Sequence, residues 1–130
     1  MSGAPSDRVR RHPCQSRAAS VRFAHPSERL FAALLEVHEI EWEYEPVEFS
    51  LHWNADGFPT AGFRPDFWLP AQRGFVELTT ADQRLVTRKN AKIRRLRELY
   101  PEVSLVVVYQ RDFLSLLARN GLDPRDLRAA

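Results

Sequence analysis

The chain is poor in cysteine and has no long apolar run. Its one cysteine, Cys14, cannot close an internal disulfide, and no Cys/His cluster has the spacing of a zinc site. A reducing cytoplasm is the expected compartment. The longest apolar stretches, Leu30 to Leu35 and Leu105 to Tyr109, fall far short of the about 18 to 20 residues that cross a bilayer. No membrane partner is therefore expected. No apolar segment follows the first residues, which argues against a secretory signal. The opening Arg/Ser mixture mimics a transit peptide, but Asp7, Pro5 and Pro13 argue against one. Lysine and arginine are missing altogether between Leu30 and Phe63, where seven acids stand.

What is present suits one globular domain. At 130 residues there is room for a single sizeable core, and 44% hydrophobic with 28% charged residues excludes wholesale disorder. The net charge is only +2, yet from Arg84 to Glu98 seven bases face one acid. Phosphate binding works through local counterion release, so a basic block on one element points to nucleic acid better than the net charge does. A solvated helix face is the plain alternative.

Residues 1–24 lack periodicity and are expected to form a poorly ordered tail, leaving 25–130 as the domain. Leu30, Phe31, Leu34 and Leu35 recur at helical spacing behind Pro26, which suits a first helical turn. Ile40, Trp42 and Tyr44 alternate with glutamates as in a half-exposed strand, and Val47, Phe49 and Leu51 resume after Pro46. Asn54 to Gly57 is a turn signal, so a hairpin is expected. The stretch from Trp53 to Thr60 is a candidate substrate arm or homodimer contact. Further strands are expected at Gly62 to Leu69 and Gly74 to Thr79. A helix follows from about Arg84 to Leu99, then a buried strand at Leu105 to Tyr109, then a helix from Asp112 to Asn120 before Gly121. The order is α-β-β-β-α-β-α: an α/β fold with a mixed sheet flanked by helices and a right-handed crossover. Trp42, Trp53 and Trp68 are read as core residues ahead of base-stacking ones.

Three acids stand among apolar neighbours. Asp66 sits in Phe63 to Pro70, Glu77 in Phe75 to Thr79, and Glu28 heads the first helix with Phe31, Ala32 and Leu35 on its side. An unpaired carboxylate in a sheet costs several kcal/mol unless neutralised, paired or bound to a metal. The plain readings are a helix-dipole role for Glu28 and pairing of Asp66 and Glu77 with Arg64 or Arg73. Lys89 is equally out of place, because Leu85, Val86, Ile93, Leu96 and Tyr100 form the apolar stripe in which it falls. Such a lysine either snorkels to water or meets a buried anion.

In order, spacing and element type, these residues resemble the PD-(D/E)XK nuclease superfamily, the restriction-endonuclease-like fold, over roughly His25 to Gly121. Glu28 looks like the family's first-helix glutamate, Pro65-Asp66 like its Pro-Asp pair, and Glu77 like the acid two residues before its lysine. The resemblance implies an α-β-β-β-α-β core with an extra C-terminal helix. It also implies that Asp66, Glu77 and Glu28 hold Mg²⁺, with Mn²⁺ as a substitute, and that the activity is phosphodiester hydrolysis in DNA, less readily RNA. Threonine occupies the family's lysine position in Glu77-Leu78-Thr79. In some members that lysine has moved to the following helix, and Lys89 is placed to match; Lys92 is the next candidate and Gln83 a weaker one. Arg84, Arg88, Lys92 and Arg95 are the expected phosphate contacts. Two alternatives stay open: a non-catalytic nucleic-acid-binding module on the same fold, and a protein-interaction domain that docks a basic partner on the acidic segment.

Overall fold

The computed structural model describes residues 9–11, 21–79 and 83–119, with backbone alone at 10, 11, 83–86 and 117. The elements in chain order are β1 (Val9–Arg11), α1 (Pro26–Val37), β2 (Glu43–Tyr44), β3 (Val47–Trp53), β4 (Pro59–Phe63), β5 (Phe67–Leu69), β6 (Gly74–Thr79), α2 (Gln83–Leu99), β7 (Leu105–Tyr109) and α3 (Gln110–Arg119). The class is mixed α/β. The strands form two sheets, ordered β1-β3-β4 and β2-β5-β6-β7. All pairs are antiparallel except β6 with β7, which α2 joins as the expected parallel crossover.

Two apolar clusters fix where each face points. Leu30, Phe31, Leu34 and Leu35 of α1 pack with Phe113 of α3 on Trp42, Tyr44, Phe67, Val76 and Leu78. Phe49, Leu51 and Phe63 of the first sheet pack with Ile93 and Leu96 of α2, and with Tyr100 just after it, on Phe75 and Leu105. The Tyr100 O–H donates to Ser50 O at 2.8 Å, tying the end of α2 to β3. Side chains alternate across a strand. Val76 and Leu78 therefore face the α1 cluster, while Phe75, Glu77 and Thr79 face the other way.

Three sequence expectations differ from the structure. The first is the single strand over 62–69, which is two strands in different sheets. Pro65 cannot donate to a ladder, so the chain leaves β4 after Phe63 and re-enters pairing at Phe67. There the Glu45 N–H donates to Asp66 O at 2.8 Å. The second is the strand expected from Ile40, which pairs only at Glu43–Tyr44, because β5 offers three residues and Glu45 adopts φ 44° before Pro46. The third is the tail. Val9–Arg11 pairs with Val47–Phe49, Val21 is buried, and Phe23 packs on Trp42, Tyr44 and Phe67. These short apolar pieces gain area from an existing surface rather than from a periodicity of their own, and that is why no pattern announces them. The remaining residues of 1–24, and Gly121 as a helix cap, lie outside the described residues.

The expected hairpin is present. Asn54 Oδ1 accepts the N–H groups of Asp56 and Phe58, and Gly57 takes φ 86°, a conformation in which glycine avoids a side-chain clash. Trp42 is buried and Trp68 stacks on Phe75 with ring centroids 4.6 Å apart, so both tryptophans are core residues. No helix among the described residues is long and apolar enough to cross a membrane.

Candidate active site

Phe67 pairs with Val76, so the next position outward sets Asp66 beside Glu77. Their side chains continue the ladder where the backbones part. The Asp66 N–H donates to Glu77 Oε1 at 3.0 Å, and the Leu78 N–H donates to Asp66 Oδ2 at 2.8 Å. Both carboxyl groups lie on the α2 side of the sheet, at 6% and 3% exposure. They are on one face, as a shared site requires.

Lys89, in the second turn of α2, enters this pair. Its Nζ stands 2.7 Å from Glu77 Oε2 and 2.7 Å from Leu78 O. Of the two sequence readings, the lysine meets a buried anion. Lys92, one turn on, does not reach the site: its Nζ donates to Gly62 O at 3.1 Å. Gln83 has no described side chain. Arg64 pairs with Glu45 at 3.5 Å and Glu48 at 3.1 Å, so it does not neutralise Asp66.

Glu28 is buried in the first turn of α1, where the helix dipole also favours it. Its Oε1 accepts the Tyr44 O–H at 2.5 Å and the N–H groups of Ala24 and His25 at 3.1 and 3.3 Å. One carboxylate oxygen is thus fixed by three donors. Tyr44 is a residue that sequence reasoning placed only in a strand. Its hydroxyl, donating to Glu28 and accepting from Ala24 N–H at 3.1 Å, locks the helix start to β2. The alternation that reveals Tyr44 as buried says nothing about a partner 16 residues away.

Burial controls the protonation of the cluster. It lifts the Asp66 carboxyl to about 9, helped by the charges of Glu77 and Glu28 and opposed by the Leu78 N–H and Lys89. Burial also raises Glu77, against the ammonium and hydrogen bond of Lys89 and the Asp66 N–H. Glu45 is raised by burial and by Glu28, and the Tyr44 phenol is pushed up by burial and its bond to Glu28. One further group is left over. Thr79, at the position of the resembled family's lysine, is buried, and its Oγ1 has no hydrogen-bond partner among the described residues.

In its chemistry this donor set suits a hard divalent cation. Asp66 and Glu77 are buried beside a single ammonium, and carboxylate plus carbonyl oxygen is the chemistry that Mg²⁺ takes. The fit is chemical: among the described residues, no three acidic, imidazole or thiol groups stand close enough together to form a ready-made cation site. The Lys89 ammonium contacts Glu77 and the Leu78 carbonyl, two oxygens that such a cation would share.

The basic helix is divided in its tasks. Arg95 Nε donates to Leu51 O at 3.1 Å, where the β3–β4 register shifts. With Lys92 on Gly62 O, two of the four expected phosphate contacts brace the first sheet. The reason is local: the irregular ladder leaves carbonyls for long side chains to satisfy. Arg88 is exposed, and the Arg84 side chain lies outside the described residues.

No protein family, curated protein or solved structure matches this chain.

Proposed function

We propose that the chain is a metal-dependent phosphodiesterase acting on nucleic acid, DNA before RNA, on a restriction-endonuclease-like arrangement of α1, β5, β6, α2 and β7. The observation that carries this reading is the knot of Asp66, Glu77 and Lys89. A lysine from the crossover helix is bonded to an acid at the sheet centre, with a second acid on the adjacent strand. Nothing in packing alone calls for it, since apolar residues of similar volume are often as stable as a buried ion pair.

Asp66, Glu77 and the Leu78 carbonyl are the oxygens that would hold Mg²⁺, with Glu28 as a further carboxylate behind them. A bound Mg²⁺ supplies an acidified water and charge neutralisation at the phosphoryl group. The chain's own residues do the rest. Lys89 presents the positive charge that orients the attacking water and offsets negative charge on the phosphoryl oxygens. The water oxygen bonds to phosphorus as the bond to the leaving sugar oxygen breaks, and that oxygen takes up a proton. Tyr44 keeps Glu28 aimed by holding one of its oxygens. Arg88 supports the phosphate backbone without reading sequence.

Thr79 favours a second reading, a nucleic-acid-binding module that does not cleave. Threonine donates one hydrogen bond and carries no charge. An assay with Mg²⁺ or Mn²⁺ on single-stranded, duplex and branched DNA and RNA separates the two. Metal-dependent cleavage that Glu77→Ala abolishes is the expected result. Binding without cleavage of any substrate selects the module.

A further inference from the structure

Two basic residues of α2 that do not brace the first sheet, Arg94 and Arg97, line a groove on the other flank of the helix, about 480 Å³ in volume, between α2 and β7. Ile93 and Val107 belong to its lining, with Asn90, Arg94, Arg97 and Tyr109 as the polar and aromatic groups. The one acid there, Glu98, is engaged with Arg95 at 3.7 Å. The groove adjoins the candidate centre: Val107 is the register partner of Glu77 and Tyr109 that of Thr79, one strand spacing away. Asn90 directly follows Lys89.

Its chemistry is selective. Arg94 makes no ion pair or hydrogen bond among the described residues. Arg97 uses one N–H on Leu105 O at 3.0 Å and keeps the rest of its fork. Asn90, Arg94 and Arg97 follow one helix face over about 10 Å at 1.5 Å per residue. Tyr109 is 45% exposed, leaving ring surface uncovered beside those cations. An exposed ring takes a base only when the base is unstacked, as in single strands. In a duplex the base faces are already covered.

We infer that this groove receives a single nucleic-acid strand running away from the candidate centre, with phosphates at Arg94 and Arg97 and one base on Tyr109. The inference rests on the nucleic-acid reading above and adds the strandedness and the path. It reassigns the phosphate contacts from Lys92 and Arg95 to the opposite flank of the helix.

The test is fluorescence anisotropy of a short labelled single strand, as DNA and as RNA, and of the matching duplex, with the full chain in EDTA. The single strand should bind more tightly than the duplex. Arg94→Glu and Tyr109→Ala should each weaken single-strand binding by about tenfold or more, while Tyr109→Phe stays near wild type because the ring makes the contact. Arg94→Glu should melt at the wild-type temperature, which separates lost binding from lost folding. If wild type binds neither form at low ionic strength, the nucleic-acid reading falls and the groove assignment with it. If wild type binds but both variants bind equally well, or duplex is preferred, the groove assignment alone is overturned.

Discussion

The two faces of β6 make a contrast within six residues. On the α1 side, Val76 and Leu78 are covered by helix and aromatic side chains, and the packing there is complete. On the α2 side, Phe75 belongs to a second apolar cluster, but Glu77 and Thr79 do not. Glu77 needs an ammonium and a backbone N–H to be tolerated, and the Thr79 hydroxyl has no partner among the described residues. The same strand therefore stabilises the fold through one face and, in the proposed function, carries the chemistry on the other. The lesson is that stability and function can be separated by a single step in strand phase.

The largest expected effect breaks the completed face. Phe67 is fully buried and touches Phe23, Phe31, Trp42 and Tyr44. Phe67→Ala should cost about 3 to 5 kcal/mol, read as a lower denaturant midpoint. On the other face, Glu77→Ala should cost less in metal-free stability, because it removes a buried charge and leaves Lys89, which is partly exposed, still bonded to Leu78 O.

Next in size is the difference between two lysines one turn apart. Lys89→Met leaves the Glu77 carboxylate without its cation and should cost about 2 to 3 kcal/mol, below the range for fully buried pairs because Lys89 is partly exposed. Lys92→Met removes one bond to Gly62 O and should cost less than about 1 kcal/mol. On a cleaved substrate, Lys89→Ala should lose about 10² to 10³ in turnover and Lys92→Ala far less. Equal losses would erase the distinction.

The pH dependence sharpens the contrast further. Asp66 is held up to about 9, far above the value of about 3.9 for an unfolded aspartate. Between those values the folded chain binds the extra proton, so metal-free stability should be greatest at the acidic end and fall as pH rises towards about 9. Thermal melts in EDTA at stepped pH should show that decline, and Asp66→Asn should flatten it. A decline unchanged in Asp66→Asn would place the titration elsewhere.

The smallest effect concerns the surface. Arg88→Ala should leave the melting temperature unchanged and reduce the salt slope of nucleic-acid binding by about one unit. Arg95→Ala should instead lower stability by about 1 kcal/mol through the lost bond to Leu51 O.

The sequence showed this division wherever a pattern has a period. A 100° wheel put Lys89 in the stripe with Ile93 and Leu96, and Glu77 stood out as the one charge in Phe75 to Thr79. The stretch from Gly62 to Leu69 read as one strand, although Pro65 breaks it into two. Contacts between elements left no such trace. The Tyr44–Glu28 bond joins β2 to α1, and the carbonyls that hold Lys92 and Arg95 belong to backbone, whose availability depends on a register shift. Charge counting along α2 could not tell a brace from a free cation, since both are basic residues on an exposed helix. The pairing of Val9–Arg11 with β3 depends on an edge built by another part of the chain.

In the proposed function a divalent cation completes the polar face of β6. The most direct test is thermal unfolding of wild type, Glu77→Gln and Asp66→Asn with and without Mg²⁺ or Mn²⁺ at neutral pH. A cation that binds only the folded state raises the melting temperature. The account predicts a rise in wild type that grows with metal concentration and is absent in both variants. A wild type that melts identically with and without metal, or a rise equally large in the variants, would contradict it.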